Sequence, residues 1–394
     1  MLRLYKLKDY NFRLILWILA LSVIGVLLVG SADASLQMHQ VLGILLGIGL
    51  MVVFSLIDFS WILNFYWILY VATLGLLFLV LVIGWSTNGA QRWIDLGFVR
   101  FQPVELAKIL LILFFARYFM KHAHELNKPR IMIRIAALIG LPLALIFVEP
   151  DLKNTITFTA VFCIMYFVAG LSYRFIIVVL AILIPVGTIF ISIVKQPDQT
   201  LLQDYQRNRI MAFIYPDKEE YKDNNTQQNN SVNAIGSGQL MGKGLNNSDV
   251  SSANKGNFIP EIQTDFIFAV AGEEIGFLGS SGIIILLLLV VMECLYVSRR
   301  AKDLSGVIIC TGVAAVIAFQ SFINIGVATG LLPNTGTPLP FVSYGLSSLE
   351  SQFIGIGIVL NVGLQSKVRL SNVRREQNKR HTRKLNRRYD RRRD

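Results

Sequence analysis

Residues 266–298 read FIFAVAGEEIGFLGSSGIIILLLLVVMECLYVS. A membrane-spanning helix needs about 20 mostly apolar residues, and this run exceeds that. At 1.5 Å per residue it would reach about 50 Å, well beyond a hydrocarbon core of about 30 Å. It therefore predicts a transmembrane helix that projects above the bilayer or bends near Gly276, Gly279 and Gly282. Asp265 opens the run, and Glu273 and Glu274 lie two to three turns inside it.

Nine further runs of the same character surround it, at 14–30, 41–57, 61–84, 103–120, 135–148, 156–171, 175–194, 306–332 and 347–365. The run at 135–148 is short and holds Pro142, which predicts either a crossing with little tilt or a partial one. Of 394 residues 54% are hydrophobic and 16% charged, with a mean hydropathy of +0.56. A soluble domain is about a quarter charged, so this composition excludes a water-facing surface over most of the chain. The predicted fold is an all-α integral membrane protein, a bundle of about ten transmembrane helices. One polytopic domain, 1–366, carries a large extracytoplasmic loop, 196–265, between helices 7 and 8. A basic tail, 367–394, reads as disordered. The first run continues through polar residues into a second span, so it reads as an anchor and not a cleaved leader.

Orientation follows from Lys and Arg in short loops. Arg3, Lys6, Lys8 and Arg13 precede the first span; Arg117, Lys121, Lys128, Arg130 and Arg134 flank the fourth and fifth; Arg299, Arg300 and Lys302 follow the eighth. The tail carries thirteen Lys/Arg against three Asp/Glu. With ten spans all four basic clusters share one side, which predicts both termini in the cytoplasm of a cell membrane. The tail suits anionic lipid headgroups. Nothing else resembles a nucleic-acid module, so nucleic acid is not an expected partner. Cys163, Cys294 and Cys310 all lie in apolar runs and read as packing residues, not as a metal or disulfide set.

The outer side then holds the segments 85–102, 149–155, 195–265 and 333–346. In the third, 222–233 is polar and reads as mobile. Gly236, Gly238, Gly242 and Gly244, with Lys243 among them, weakly echo a phosphate loop, but no strand precedes them and no Ser or Thr follows the lysine. Either freed backbone amides hold a pyrophosphate there or the segment is a plain turn. Pro333, Pro338 and Pro340 forbid regular helix in the fourth segment, which predicts a re-entrant stretch buried in protein.

Ionisable groups at membrane depth are functional candidates by default. Here they are Arg92, Arg100, Glu105, Lys108, Glu149, Asp151, Asp265, Glu273 and Glu274, all near the outer ends of spans. Each also has a structural reading. Glu105 and Lys108 lie three apart and suit a plain ion pair. Glu149, Asp151 and Asp265 suit helix capping. Glu273 and Glu274 suit polar contacts between helices.

Several stretches are similar to one family. Asn88-Gly-Ala-Gln-Arg-Trp-Ile, Phe101-Gln-Pro-Val-Glu-Leu-Ala-Lys108, Glu149-Pro-Asp-Leu152, Ala234-Ile-Gly-Ser-Gly238, Pro260-Glu-Ile-Gln-Thr-Asp-Phe, Gly272-Glu-Glu-Ile-Gly276 and Leu339-Pro-Phe-Val-Ser-Tyr-Gly345 resemble the SEDS family, which includes RodA, FtsW and SpoVE. Asp204-Tyr-Gln-Arg-Asn-Arg-Ile210 looks more like its elongation branch. The resemblance implies a ten-helix bundle and peptidoglycan glycosyltransfer, with lipid II polymerised beside a class B penicillin-binding protein that acts as transpeptidase. It implies that Asp265 is the essential aspartate and that Arg92, Glu105, Lys108 and Asp151 match other functional positions. Val104, Lys153-Asn154, Gln263 and Leu346 depart from the family pattern.

On that basis Asp265 is the candidate base for the acceptor hydroxyl. Arg92 and Lys108 are candidates to hold phosphate oxygens, with Glu105 fixing Lys108. Glu149, Lys243 and Ser343 complete the candidate substrate contacts. A divalent cation, Mg²⁺ or Mn²⁺, is expected at Asp151, with Glu149 as a second candidate ligand. Attack opposite the leaving diphosphate predicts inversion. A flippase for lipid-linked precursors and a non-catalytic synthase scaffold are the competing functions.

Overall fold

The computed structural model describes residues 9–87, 90–95, 97, 100–196, 202, 204–215, 218, 222–246 and 259–366. The first two helices, α1 (Phe12–Ala32) and α2 (Ala34–Leu56), form an antiparallel pair jointed at Asp33, whose carboxylate caps α2. A helical turn α3 (Phe59–Ile62) leads through a 3₁₀ turn into α4 (Tyr66–Ile83). Then come α5 (Pro103–Lys121), α6 (Pro129–Val148), α7 (Leu152–Val168) and α8 (Tyr173–Val194). The outer segment contributes α9 (Asp204–Ile214) and α10 (Lys222–Ser237). The chain returns through α11 (Ile267–Glu274), α12 (Gly276–Ser298), α13 (Leu304–Ala328) and α14 (Leu346–Ser366).

Every predicted span coincides with helix. Among the described residues, seven segments are long and apolar enough to cross a membrane: α1, α2, α3–α4, α6, α11–α12, α13 and α14. Of the other three, α5 carries Glu105, Lys108, Arg117 and Lys121 in 19 residues, α7 has 17 residues and α8 has 22. The partial reading of the fifth span is corrected, because α6 runs 20 residues with Pro142 inside it. Neighbouring helices let a membrane helix tolerate an internal proline.

The long eighth run does break, between α11 and α12, at Gly276 with φ +66°. A side chain there would overlap the backbone at Gly242, and one at Gly242 would overlap Glu274. The glycines of 236–244 therefore let a turn lie directly on the break. Their amides are already used: Lys243 N donates to Glu273 O and Gly244 N to Glu274 O, each at 2.9 Å. This corrects the expectation of a free amide cradle around Lys243.

Burial orders the bundle. The spans of α13 and α14 are 78% and 72% buried within the protein, against 22% for Phe59–Ile83. The first two are central and the third faces lipid. Small residues make that centre possible. A Cβ at Gly312 of α13 would lie 3.0 Å from both Ile112 of α5 and Met165 of α7. The buried cysteines Cys294 and Cys310 pack as expected, whereas Cys163 is exposed on α7.

Two outer segments differ from expectation. Residues 85–101 form a three-stranded antiparallel sheet in the order β1 (Trp85–Thr87), β2 (Ala90–Asp95), β3 (Arg100–Phe101). Alternation across so few residues gave no signal for it. The polar stretch read as mobile is α10, fastened to the end of α13. Gln228 Nε2 donates to the carbonyls of Val327 (2.8 Å) and Leu332 (2.7 Å), and Ser231 Oγ to that of Ala328 (2.8 Å). The tail at 367–394 lies outside the described residues, as do Asn88 and Gly89.

The stretch 331–345 is non-helical and largely buried, as its prolines predict. It packs against α1, where a Cβ added at Gly25 would stand 2.8 Å from Val342 O and 2.9 Å from Phe341 O. Gly49 on α2 has open space instead. Backbone oxygens cannot swing aside, and overpacking of this kind costs about 1–3 kcal/mol. Gly25→Val should therefore lower the melting temperature of the detergent-purified protein, while Gly49→Val leaves it unchanged.

Candidate active site

Asp265 lies one residue before the N-cap of α11, and no side chain caps that helix. The capping account of Asp265 therefore fails. Its carboxyl instead faces the turn at Gly336, where an added Cβ would sit 2.9 Å from Asp265 Oδ2 and 3.9 Å from Arg209 Nη1. Gly336 has φ +69°, a conformation that favours glycine. From the other side Lys153 Nζ donates to the Gly336 carbonyl. Burial pushes the Asp265 carboxyl above its ordinary range, against the opposing pull of Lys153 and then Arg209.

The backbone around Asp265 is tied down. Asn324 Nδ2 on α13 donates to Asp265 O at 2.8 Å and to Thr337 O at 2.7 Å. Ser343 Oγ donates to Thr264 O at 2.6 Å and accepts from Leu339 N at 2.8 Å. Ser343 thus holds two loops together beneath the carboxyl, and its hydroxyl is engaged on both sides.

A second cluster sits at the α6–α7 corner. Asp151 is the N-cap of α7; its Oδ1 accepts from Asn154 N at 3.2 Å and its Oδ2 from Asn154 Nδ2 at 2.8 Å. Arg92 on β2 donates from Nε to Glu149 O at 3.4 Å and from Nη2 to Pro150 O, with Nε 4.0 Å from Asp151 Oδ2. Gln206 on α9 donates to the same Pro150 carbonyl at 2.7 Å. Lys108 Nζ, buried on α5, donates to Glu105 Oε1 at 2.7 Å and to Asn154 Oδ1 at 3.4 Å. So Arg92, Glu105, Lys108, Glu149 and Asp151 do converge, with Asn154 as the bridge. The first turn of α7 links this cluster to Asp265 through Lys153.

Lys243 stands apart. Its ammonium pairs with Glu273 Oε1 at 2.7 Å, and Ser31 Oγ donates to Glu274. The structural reading of Glu273 and Glu274 is the one the contacts support. Five residues that touch the site were not singled out for it: Lys153, Asn154, Gln206, Arg209 and Asn324. Lys153 was visible only as an unusual residue after Pro-Asp-Leu, and Gln206 and Arg209 only as part of the 204–210 stretch.

Asp151 and Glu149 do not make a cation site with the groups present. Both Asp151 oxygens are engaged by Asn154, a guanidinium lies 4.0 Å away, and among the described residues no three His, Cys, Asp or Glu side chains gather for a metal. Glu149 Oε1 is buried without a hydrogen-bond partner. Burial, and then Asp151 beside it, push this carboxyl up to about 8 against the pull of Arg92. Inward of Lys108, a small cleft of about 20 Å³ lies between α5, α6, α7 and α13, walled by Leu111, Phe115, Phe158 and Phe162.

Residues 8–368 match the family model of the FtsW, RodA and SpoVE cell cycle proteins. The chain is 34% identical over 361 residues to the peptidoglycan glycosyltransferase MrdB of Escherichia coli K12, covering 90% of this chain and 94% of that one. It is 33% identical over 387 residues to a probable peptidoglycan glycosyltransferase FtsW of Geobacter sulfurreducens, covering 93% and 98%. Its structure superposes on the rod shape determining protein RodA of Thermus thermophilus with a TM-score of 0.66 at 28% identity, covering 90% and 96%. A chain from a peptidoglycan synthase complex that coordinates polymerization and crosslinking gives 0.73 at 28% identity, covering 91% and 98%.

Two outcomes follow from the buried charges. Lys108→Met strands Glu105 without its cation, which costs about 3–5 kcal/mol for a buried pair, and the double variant E105L/K108M should recover most of that in thermal unfolding. The raised Glu149 carboxyl means that the folded state holds a proton the unfolded chain releases near 4.5. Its stability contribution is complete below about 4.5 and is lost as pH rises through about 8. Glu149→Gln should flatten that decline in a melting-temperature profile across the window.

Proposed function

The chain belongs to the FtsW–RodA–SpoVE family, the SEDS family of multi-pass membrane peptidoglycan glycosyltransferases, and on that premise we propose that Asp265 is the base of an inverting polymerisation of lipid II. The observation that carries this reading is the Asp265 carboxyl itself, raised by burial and flanked by Lys153 and Arg209. A carboxyl raised above its ordinary range is a stronger base than an unperturbed one.

In the reaction Asp265 accepts the proton of the acceptor sugar hydroxyl. The freed oxygen attacks the anomeric carbon of the donor. The bond from that carbon to the polyprenyl diphosphate breaks from the opposite face, and the electron pair leaves with the diphosphate. Diphosphate is already a good leaving group, so a second carboxylic acid is not needed as it is in glycoside hydrolysis. Arg209, beside Asp265, suits bidentate contact with the phosphate oxygens. Arg92 is anchored to the α6–α7 corner and lends positive charge from there. Lys108 is committed to Glu105 and Asn154, so its part is to fix the first turn of α7.

The distribution of Lys and Arg among the short loops supports a reading with both termini in the cytoplasm and this site at the outer face of a bacterial cell membrane. The partner is a transpeptidase of the class B penicillin-binding type, a reading supported by the similar chain in a synthase complex. The basic tail would rest on anionic lipid.

The test is a gel assay of lipid II polymerisation in detergent with the transpeptidase partner. Wild type should give glycan strands, and Asp265→Asn should lower the rate by at least about 100-fold, the scale of a lost general base. Wild-type rates from Asp265→Asn would overturn the assignment. Absence of polymer from wild type would leave a flippase or a scaffold.

A further inference from the structure

We infer that Lys153 is a positioning residue of this site, which clamps the Gly336 turn against Asp265 and sets a positive charge beside its carboxyl. The inference rests on the reading of Asp265 as base. It concerns a position where this chain departs from its family pattern.

The geometry begins at the first turn of α7. Asp151 caps the helix and fixes the direction of the residues that follow. Successive helix positions turn by about 100°, so neighbours serve different faces. Asn154 points toward α5 and meets Lys108. Lys153 points toward the 335–337 turn and donates its ammonium to the Gly336 carbonyl. That turn carries no side chain at 336, so it lies directly on the Asp265 carboxyl, with Arg209 at the same point. Three segments distant in sequence meet there: the start of α7, the helix α9 and the re-entrant turn.

A strut alone would not require a charge. The charge matters because burial works against ionisation of Asp265, and a protonated carboxyl cannot accept the acceptor's proton. The charged groups facing it among the described residues are Lys153 from α7 and Arg209 from α9. The re-entrant turn offers its Gly336 carbonyl, already bonded to Lys153, and α13 offers the neutral amide of Asn324. Removing Lys153 therefore halves the positive charge around the base and loosens the turn.

The test compares wild type, Lys153→Met and Lys153→Arg, with Asp265→Asn as control, in the complex with its transpeptidase partner. Initial polymerisation rates are measured against pH. In Lys153→Met the acid limb should move up by about one pH unit, the lower end of the effect of a close opposite charge, and the rate should approach wild type at high pH. Lys153→Arg should return the limb to its original place. Equal loss at every pH, or no change, overturns the inference. A second readout needs no turnover: carbodiimide labelling of Asp265, read by mass spectrometry on the detergent-purified protein. Labelling requires the protonated carboxyl, so it should persist to higher pH in Lys153→Met, and an unchanged profile also overturns the inference. The control separates the two claims. An active Asp265→Asn ends the base assignment, whereas an inactive one with an unshifted Lys153→Met profile ends only the role of Lys153.

Discussion

Two carbonyl groups accept from one buried amide, and the site depends on it. Asn324 stands on α13, a span 78% buried within the protein, and bonds both Asp265 O and Thr337 O. Each carbonyl belongs to a non-helical segment, where no neighbouring turn supplies a donor. Within a membrane protein such groups find no bulk water, and leaving one unpaired costs several kcal/mol. The chain resolves this by tying both segments to a central, well-buried helix. Tyr344 N bonds Gln263 O at 2.9 Å and completes the clasp from the far side. Asp265 thereby gains a fixed position although it sits at the end of a long extramembrane loop.

The first turn of α7 performs a related task with side chains. Asp151 closes the helix end, Asn154 ties it to the buried ion pair on α5, and Lys153 reaches the re-entrant turn. Glycine at 153 would lose the contact to the re-entrant turn. Two of the departures from the family pattern, Lys153 and Asn154, thus connect the two halves of the charged outer face. Arg92 reinforces the same corner through backbone carbonyls, a role for which a guanidinium with five donors is well suited.

The spans were legible because a membrane imposes a length and a polarity on any helix that crosses it, and those show as apolar runs regardless of neighbours. The break at Gly276 was legible for a similar reason, since a run longer than the bilayer must end or bend. The polar stretch that forms α10 was not. Three of its buried residues, Asn225, Gln228 and Ser231, are polar, and the last two meet carbonyls at the end of α13, so no apolar stripe marked its inner face. The glycine turn around Lys243 was misleading in the opposite way. Its glycines serve close backbone contact with the helix break, and a sequence cannot distinguish that from a loop shaped for phosphate.

The sequence by itself determined the membrane bundle and the non-helical proline stretch, and it pointed to ten spans and to Asp265 as the candidate acid. These follow from hydropathy, proline geometry and local motif, all of which act within a few turns of chain. Only the tertiary structure decided which charges stand beside that acid. Lys108 is consumed by Glu105, whereas Lys153 and Arg209 flank Asp265 from helices far apart in the chain. Electrostatic partnership depends on separations of a few ångströms, and across such distances along the chain those are set by packing alone.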